Sequence, residues 1–126
     1  MVQRNRTLAI VEVEKSIEHI AKQIYKRKFI HERTFKTLFG ASLQCLAMIW
    51  SLLGDSHQRA LRFQQKHFLW AFMWLKQYAT ETVLSVTVGC TEKTFRERVR
   101  EVLAEINRLY SDVVSDIFKK ILKMLN

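Results

Sequence analysis

The sequence predicts an all-α protein, a single domain over residues 1–126 folded as a helical bundle of about six to seven helices. Three observations lead to this prediction. The chain contains no proline and only three glycines, so few positions can break a helix. Hydrophobic residues make up 48% of it, which is enough to build one sizeable core. Apolar residues also recur at spacings of three and four, the period of amphipathic helices.

The first predicted helix runs from about Thr7 to Lys28, with Glu and Lys residues between its apolar positions. It ends in a basic run at residues 26–28, where cations meet the negative end of the helix dipole. The same run resembles a weak nuclear-import patch, although the role of a solvated helix end is the favoured interpretation.

A short helix, a glycine turn and a second helix are predicted over residues 32–53. Gly40 stops the first of these helices, and Ser42 begins the second, which is richly apolar. Gly54 is expected to end that second helix. The polar residues 55–65 are the best candidate for a linker.

The next segment, residues 67–78, is apolar on nearly all sides, which predicts a helix at the centre of the bundle. The helix, glycine, helix pattern then recurs over residues 81–103. Thr80 and Thr91 are suited to cap its two helices, and Gly89 lies at the turn between them.

The C-terminal segment, Val113 to Leu125, is amphipathic and leaves two possibilities open. It is either a separate last helix capped by Ser111 or Asp112, or a continuation of the helix that begins after Thr91. Its basic and apolar residues would also suit a membrane surface. Asp112 and Asp116 and the small positive excess make that the least favoured functional hypothesis.

The charge of the chain favours a polyanionic partner. Twenty-one Lys and Arg residues against twelve Asp and Glu give a net charge of +9. A positive field of this size attracts polyanions, of which nucleic acid is the commonest. An acidic membrane surface would satisfy the same charge, and many basic proteins have no polyanionic partner, so charge narrows the choice without deciding it.

Cysteine usage and segment composition predict an intracellular protein. Cys45 and Cys90 lie far apart in apolar contexts, which predicts neither a disulfide framework nor a zinc site. Charges interrupt the apolar residues at the start of the sequence, unlike in a secretory signal. The uncharged segment Phe39 to Gly54 is too short to span a bilayer comfortably, so no membrane partner is expected. The expected location is the nucleus in a eukaryote and otherwise the cytoplasm, with the nucleoid.

No pattern in the sequence predicts catalysis, a metal or a cofactor. A Gly-rich phosphate loop, a nucleophile elbow and paired histidine ligands are all lacking. The four histidines are scattered along the chain, at His19, His31, His57 and His67. His67 is expected to be a hydrogen-bonded boundary residue rather than a catalytic base. We therefore expect no enzyme activity.

Residues 81–103 fit the pattern of a helix-turn-helix unit. Leu84 and Val88 would pack the first helix, Gly89 would adopt the left-handed conformation, and Cys90, Phe95 and Val99 would anchor the second helix. Arg and Lys side chains at the start of an outward-facing helix can reach phosphates and guanine edges. The predicted DNA contacts on this helix are Thr91, Lys93, Arg96 and Arg100.

Two alternatives limit this interpretation. Ordinary corners of helical bundles show the same pattern, and Arg96 and Arg100 could form surface ion pairs with Glu92 and Glu97. The earlier unit at residues 32–53 matches the same template, but its outward surface is much less basic, so it is expected to be mainly structural. Arg33 and Lys36 could still contact the DNA backbone.

Residues 33–103 carry a set of features at characteristic spacing. These are the Phe39-Gly40 turn, Trp50, His67, Leu69, Trp70, Leu75, Lys76, Tyr78, Glu81 and Lys93-Thr94-Phe95-Arg96. With these features the segment resembles the N-terminal helix-turn-helix region of Harbinger-like, insertion-sequence-related DDE transposases of eukaryotes. Arg98 departs from that pattern, in which a large aromatic residue is expected, and this would leave Arg98 available for DNA.

In that family the region precedes a nuclease domain whose three carboxylates hold two divalent metal ions. This sequence lacks such a domain, and Asp112 and Asp116 alone make no metal site. The resemblance implies a DNA-binding module for transposon-end or regulatory DNA, with double-stranded DNA as partner. A separate transposase or nuclease subunit and a homo-oligomer are further partners that it allows. The alternative is a helical protein–protein interaction module whose basic face serves solubility.

Overall fold

A computed structural model describes residues 2–56, 63–77 and 79–125. These residues are almost entirely helical and contain no strand, so the predicted all-α bundle of six to seven helices is confirmed. The six helices are α1 (Val2–Tyr25), α2 (Glu32–Phe39), α3 (Leu43–Ser56), α4 (Gln65–Gln77), α5 (Glu81–Val88) and α6 (Glu92–Leu125).

Helix α4 lies at the centre of the bundle and packs against α1, α2, α5 and α6. Its residues His67 to Ala71 and Met73 are buried, as the apolar character of this segment on nearly all sides predicts. Trp74 and Leu75, near its C-terminal end, are more exposed. The N-terminal part of α4 is therefore the more deeply buried part of the helix.

The end of α1 differs from the prediction. The helix stops at Tyr25, and Lys26 adopts a left-handed conformation with φ 53°. The backbone N–H of Arg27 donates to the carbonyl of Lys22 and that of Lys26 to the carbonyl of Gln23, which is the hydrogen-bond pattern of a Schellman cap. The basic run at residues 26–28 consequently lies beyond the helix rather than in its last turn.

Two further helix boundaries were either predicted wrongly from the sequence or left open by it. Gly54 does not end α3, which continues to Ser56, because a single exposed glycine costs a helix only about 1 kcal/mol. Of the predicted linker, residues 57–62 lie outside the described residues, as does Tyr78. At the C-terminal end, α6 is one continuous helix of 34 residues, so Ser111 and Asp112 lie inside it and cap nothing.

Both predicted glycine turns are present. Gly40 follows α2 and Gly89 follows α5, each with φ 81°, a conformation that glycine adopts without steric cost. The N–H of Gly40 donates to the carbonyl of Lys36, and the N–H of Gly89 to that of Ser85. We call the first unit, α2 to α3, the Gly40 corner, and the second, α5 to α6, the Gly89 corner.

None of the described helices is by itself long and apolar enough to cross a membrane. The segments Glu32–Phe39 and Leu43–Gly54 pass that test only as a pair, and they are bent by 52° relative to each other. Both cysteines are free thiols, Cys45 exposed and Cys90 half-buried.

Candidate nucleic-acid interface

The Gly89 corner is clamped by the apolar residues that the sequence predicts. Leu84 on α5 and Phe95 and Val99 on α6 are buried, while Val88 and Cys90 are half-buried against the core. The ring of Phe95 stacks on that of Trp70 on α4, with centroids 5.8 Å apart and an interplanar angle of 23°. The start of α6 is therefore fixed relative to the central helix.

Thr91 caps α6 instead of projecting freely from it. Its Oγ1 accepts the backbone N–H of Thr94 at 3.2 Å, and its hydroxyl lies 2.9 Å from that of Thr94. An N-cap of this kind typically stabilises a helix by about 1 kcal/mol. The predicted contact at Thr91 is thus exposed, but its oxygen already serves the helix.

Arg96 forms ion pairs with two carboxylates. It is therefore not the free, outward-facing side chain that the sequence predicts. Its Nε lies 2.7 Å from Oε2 of Glu81 and its Nη2 lies 3.4 Å from Oε1 of Glu92. The hydrogen bond and charge of Glu81, followed by the charge of Glu92, raise the pKa of Arg96 further. The pair with Glu92 confirms part of the ion-pair alternative, and the pair with Glu81 ties α6 to α5.

Arg98 is also less available than predicted. Its Nη1 lies 3.1 Å from Oε2 of Glu101, one turn further along α6. The side chain is half-buried and lines a cleft beside His67. Arg98 is therefore bonded to Glu101 rather than free, and its contact with DNA stays a prediction.

Lys93 and Arg100 are the predicted cationic contacts on α6 that remain exposed and form no ion pair among the described residues. Both are exposed, and neither forms an ion pair with Glu97 or with any other residue in the described part of the chain. They are seven residues apart on one face of α6, which corresponds to about 10 Å along the axis. Phe95 and Val99 occupy the opposite, buried face, so these two cations point away from the bundle.

Arg33 and Lys36 lie on a different helix from these cations. Both are exposed residues of α2, and neither is ion-paired within residues 2–56, 63–77 and 79–125. Helix α2 packs on α4, as α6 does, whereas α2 and α6 do not form a packed pair. The central helix thus separates the two sets of predicted DNA contacts.

A cleft of about 470 Å³ lies beside the Gly89 corner, and sequence reasoning missed it. It opens between the end of α1, the start of α4, the glycine turn and the second turn of α6. No local pattern signals it because its walls come from four separate segments. Its lining residues are Ile20, Gln23, Ile24, Gln64, Lys66, His67, Trp70, Val88, Gly89, Cys90, Thr94 and Arg98.

His67 forms part of the wall of this cleft and is only 7% exposed. Its Nδ1 accepts the backbone N–H of Gln64 at 3.0 Å, so the neutral ring carries its proton on Nε2. Burial, and then the positive charges of Arg98 and Lys66, lower the pKa of His67 to about 4, against the smaller opposing effect of Glu101. The predicted hydrogen bond is confirmed, but His67 is a buried residue rather than a boundary one.

Cys90 also lines the cleft, and its thiol is uncharged. Burial raises the pKa of Cys90, so it is protonated near neutral pH. Within the described residues, no three His, Cys, Asp or Glu side chains come together in a way that could hold a metal ion.

No protein-family model, no curated protein and no solved structure matches this chain. The resemblance to the N-terminal region of Harbinger-like transposases therefore stays a prediction.

Proposed function

We propose that this protein is a DNA-binding module in which residues 81–103 act as a helix-turn-helix unit. The observation that carries the proposal is the pair Lys93 and Arg100, exposed and unpaired on the face of α6 opposite its buried anchors. In a helix-turn-helix the N-terminal turns of the second helix lie in the major groove. Cations on those turns reach phosphate oxygens and the acceptor edge of guanine.

The remaining predicted contacts have supporting roles in this proposal. Arg96 joins α5 to α6 through its bond to Glu81 and bonds Glu92 on its own helix, and loss of the Glu81 pair would release it toward the duplex. Arg33 and Lys36 supply secondary contacts to the DNA backbone from the Gly40 corner. The net charge of +9 adds the long-range attraction that brings a duplex to the surface.

We further propose that the target is transposon-end or regulatory DNA in a nucleus, without catalysis by this chain. A separate transposase or nuclease subunit would supply any strand cleavage. This part of the proposal has only the resemblance of residues 33–103 to support it. Sequencing the duplexes selected from a random pool tests it, since recognition of a specific DNA target predicts one enriched site. A pool with no enriched site contradicts it.

The DNA interface is tested with two variants that remove equal charge from the same helix. We compare Lys93→Ala/Arg100→Ala with Lys119→Ala/Lys120→Ala, whose exposed lysines lie about 30–40 Å further along α6. The readout is fluorescence anisotropy of a labelled duplex at about 50 and about 200 mM salt. The first variant is expected to flatten the slope of log affinity against log salt by up to about 1.8, since each phosphate contact contributes about 0.9.

The second variant is expected to change this slope much less, and both variants should keep the helical circular-dichroism signal of the parent protein. Equal losses in the two variants would mean that only overall charge matters. That result would remove the helix-turn-helix assignment.

A second candidate function, a helical protein–protein interaction module, is favoured by the far end of α6. Tyr110 is 67% exposed and Met124 85% exposed, and Ile121 and Leu122 are exposed as well. Apolar side chains on an amphipathic helix suit a groove or helix on a partner, with the basic surface serving solubility. Self-association measured by sedimentation velocity is the first test. This function predicts association that survives high salt and is abolished by Ile121→Glu/Leu122→Glu, whereas monomers at all concentrations would count against a second copy as the partner.

A further inference from the structure

We propose that the cleft beside the Gly89 corner is a binding site for a phosphate group, carried either by a small phosphate ester or by the DNA backbone. The site is distinct from the outward face of α6, and its capacity to bind a phosphate ester does not depend on the proposed DNA contact. Four features of the cleft support the assignment.

The first feature is charge. Lys66 and Arg98 line the cleft, and none of its lining residues is a carboxylate. Glu101 bonds one terminal nitrogen of Arg98, which leaves the rest of the guanidinium available. Both cations lower the pKa of His67, each by more than Glu101 raises it, so the net field within the cleft is positive. A phosphate monoester carries a charge of about −1.5 to −2 at pH 7, so it is attracted by this field more strongly than a carboxylate is.

The second feature is a set of neutral hydrogen-bond donors. The ring of His67 is buried and neutral near pH 7, and its Nε2–H donates to no acceptor among the residues described. Thr94 accepts a hydrogen bond from the hydroxyl of Thr91 and keeps its own hydroxyl proton to donate. The carboxamides of Gln23 and Gln64 add further donors to the lining. An anion in the cleft would accept hydrogen bonds from these donors.

The third feature is size. A volume of about 470 Å³ falls within the range typical of small-molecule sites and exceeds what a bare phosphate fills. The fourth feature is an apolar wall formed by Ile20, Ile24, Val88 and Trp70. A phosphate joined to a flat or apolar group would satisfy both parts of the cleft, and a nucleotide is of this class.

The experiment uses phenyl phosphate as the probe, added to the full chain without DNA and followed by ¹H–¹⁵N NMR. We expect saturable shifts at Gly89, Cys90 and Thr94. We also expect the pKa of His67 to rise on binding, because the anion offsets the charges of Lys66 and Arg98. Benzoate, a matched carboxylate, should bind more weakly.

Two variants test the cations, and one serves as control. Arg98→Gln and Lys66→Gln should each weaken phenyl phosphate binding about tenfold or more, the usual effect of removing a hydrogen bond to a charged group. Lys66 is exposed, so its substitution leaves the fold in place and keeps the test valid even if Arg98→Gln disturbs α6. Lys120→Gln removes the same charge at the far end of α6 and should bind as the parent does. Absence of saturable shifts, or equal weakening in Lys66→Gln and Lys120→Gln, would overturn the proposal.

A duplex titration distinguishes the two sources of phosphate. If the DNA backbone occupies the cleft, phenyl phosphate competes with the duplex and Lys66→Gln weakens DNA binding. If a free ester is the ligand, the duplex binds equally well with the cleft filled. Both results support the site. Failure of the protein to bind DNA at all would sink the proposed DNA-binding function while leaving phenyl phosphate binding measurable.

Discussion

The Gly40 and Gly89 corners are built to the same local plan but present different surroundings. Each has a left-handed glycine with φ 81°, and a short helix before it. A Cβ added at Gly40 would lie 3.4 Å from the Cβ of Lys76 on α4, whereas one added at Gly89 would meet nothing within 4 Å. The first corner is therefore packed against the central helix, and the second opens onto solvent and the cleft.

The comparison shows that a helix, glycine, helix pattern predicts a corner but does not predict which side chains on that corner are free of ion pairs. Arg33 and Lys36 at the Gly40 corner form no ion pair with any residue that the structure describes, although the sequence assigns them a minor role. Arg96 and Arg98 at the Gly89 corner are both held by glutamates. Counting cations near a turn thus overestimates how many are available to a partner.

The largest expected effect is loss of the aromatic anchor at either corner. Phe95→Ala and Phe39→Ala should each lower the free energy of unfolding by about 3–5 kcal/mol, because each ring is completely buried. Urea unfolding followed by circular dichroism measures it. Val86→Ala, at a position 77% exposed on α5, is the control and should change stability by less than about 0.5 kcal/mol. Comparable values for Phe95→Ala and Val86→Ala would contradict the packing of the Gly89 corner.

The next largest effect is the pH dependence of stability that arises from His67, which lies in the cleft beside the Gly89 corner. His67 has a pKa lowered to about 4 in the folded protein, against about 6.5 in an unfolded chain. As pH falls through this window, the unfolded state takes up a proton that the folded state refuses. The free energy of unfolding should therefore drop from about pH 6.5 and level off below about pH 4, by up to about 3 kcal/mol.

Urea unfolding at a series of pH values measures this loss, and His67→Gln should remove the corresponding part of the pH dependence. A variant with the same pH profile as the parent between those limits would show that another group titrates there.

A smaller effect is expected at the two glycines. Gly89→Ala should cost about 1–2 kcal/mol, since an L-residue in the left-handed conformation is strained even where space is open. Gly40→Ala should cost about the same, because the new methyl group would make only an ordinary van der Waals contact with the stem of Lys76. Gly89→Asn should cost less than Gly89→Ala, since asparagine tolerates this conformation better. Thermal unfolding ranks the three, and unchanged stability in Gly89→Ala would contradict the left-handed conformation of this turn.

The smallest effect tests the ion pair that joins α5 to α6. Glu81→Gln and Glu32→Gln each raise the net charge by one, and both glutamates lie in the first turn of the short helix of a corner. Only Glu81 binds an arginine of the following helix, so Glu81→Gln should lower stability by less than about 1 kcal/mol while releasing Arg96. If the Gly89 corner binds DNA, duplex affinity should rise more with Glu81→Gln than with Glu32→Gln. Equal affinities would mean that Arg96 has no part in binding.

The sequence was sufficient for those parts of the fold that depend on local chemistry. Gly89 and its flanking residues Phe95 and Val99 were predictable because glycine marks the left-handed turn and apolar spacing marks the buried face. The path of α3 through Gly54 was not, because an exposed glycine is too weak a breaker to end a helix that is anchored elsewhere.

The parts of the candidate site that failed prediction depend on tertiary structure. Arg96 bonds Glu81, fifteen residues earlier, and only the corner brings the two side chains together. The cleft around His67 likewise joins segments separated by tens of residues. Side-chain availability and concave surfaces are properties of the packed molecule, whereas turns and buried faces are already encoded in short stretches of sequence.

The continuity of α6 has a geometric consequence for any assembly that this protein enters. A helix of 34 residues is about 50 Å long, the length of about fifteen stacked base pairs. Its first turns are locked to the core by Phe95, and its last turns carry the exposed side chains of Leu122 and Met124. If two molecules associated through these last turns, the N-terminal ends of their α6 helices would therefore be held at a fixed distance, which the length of α6 sets.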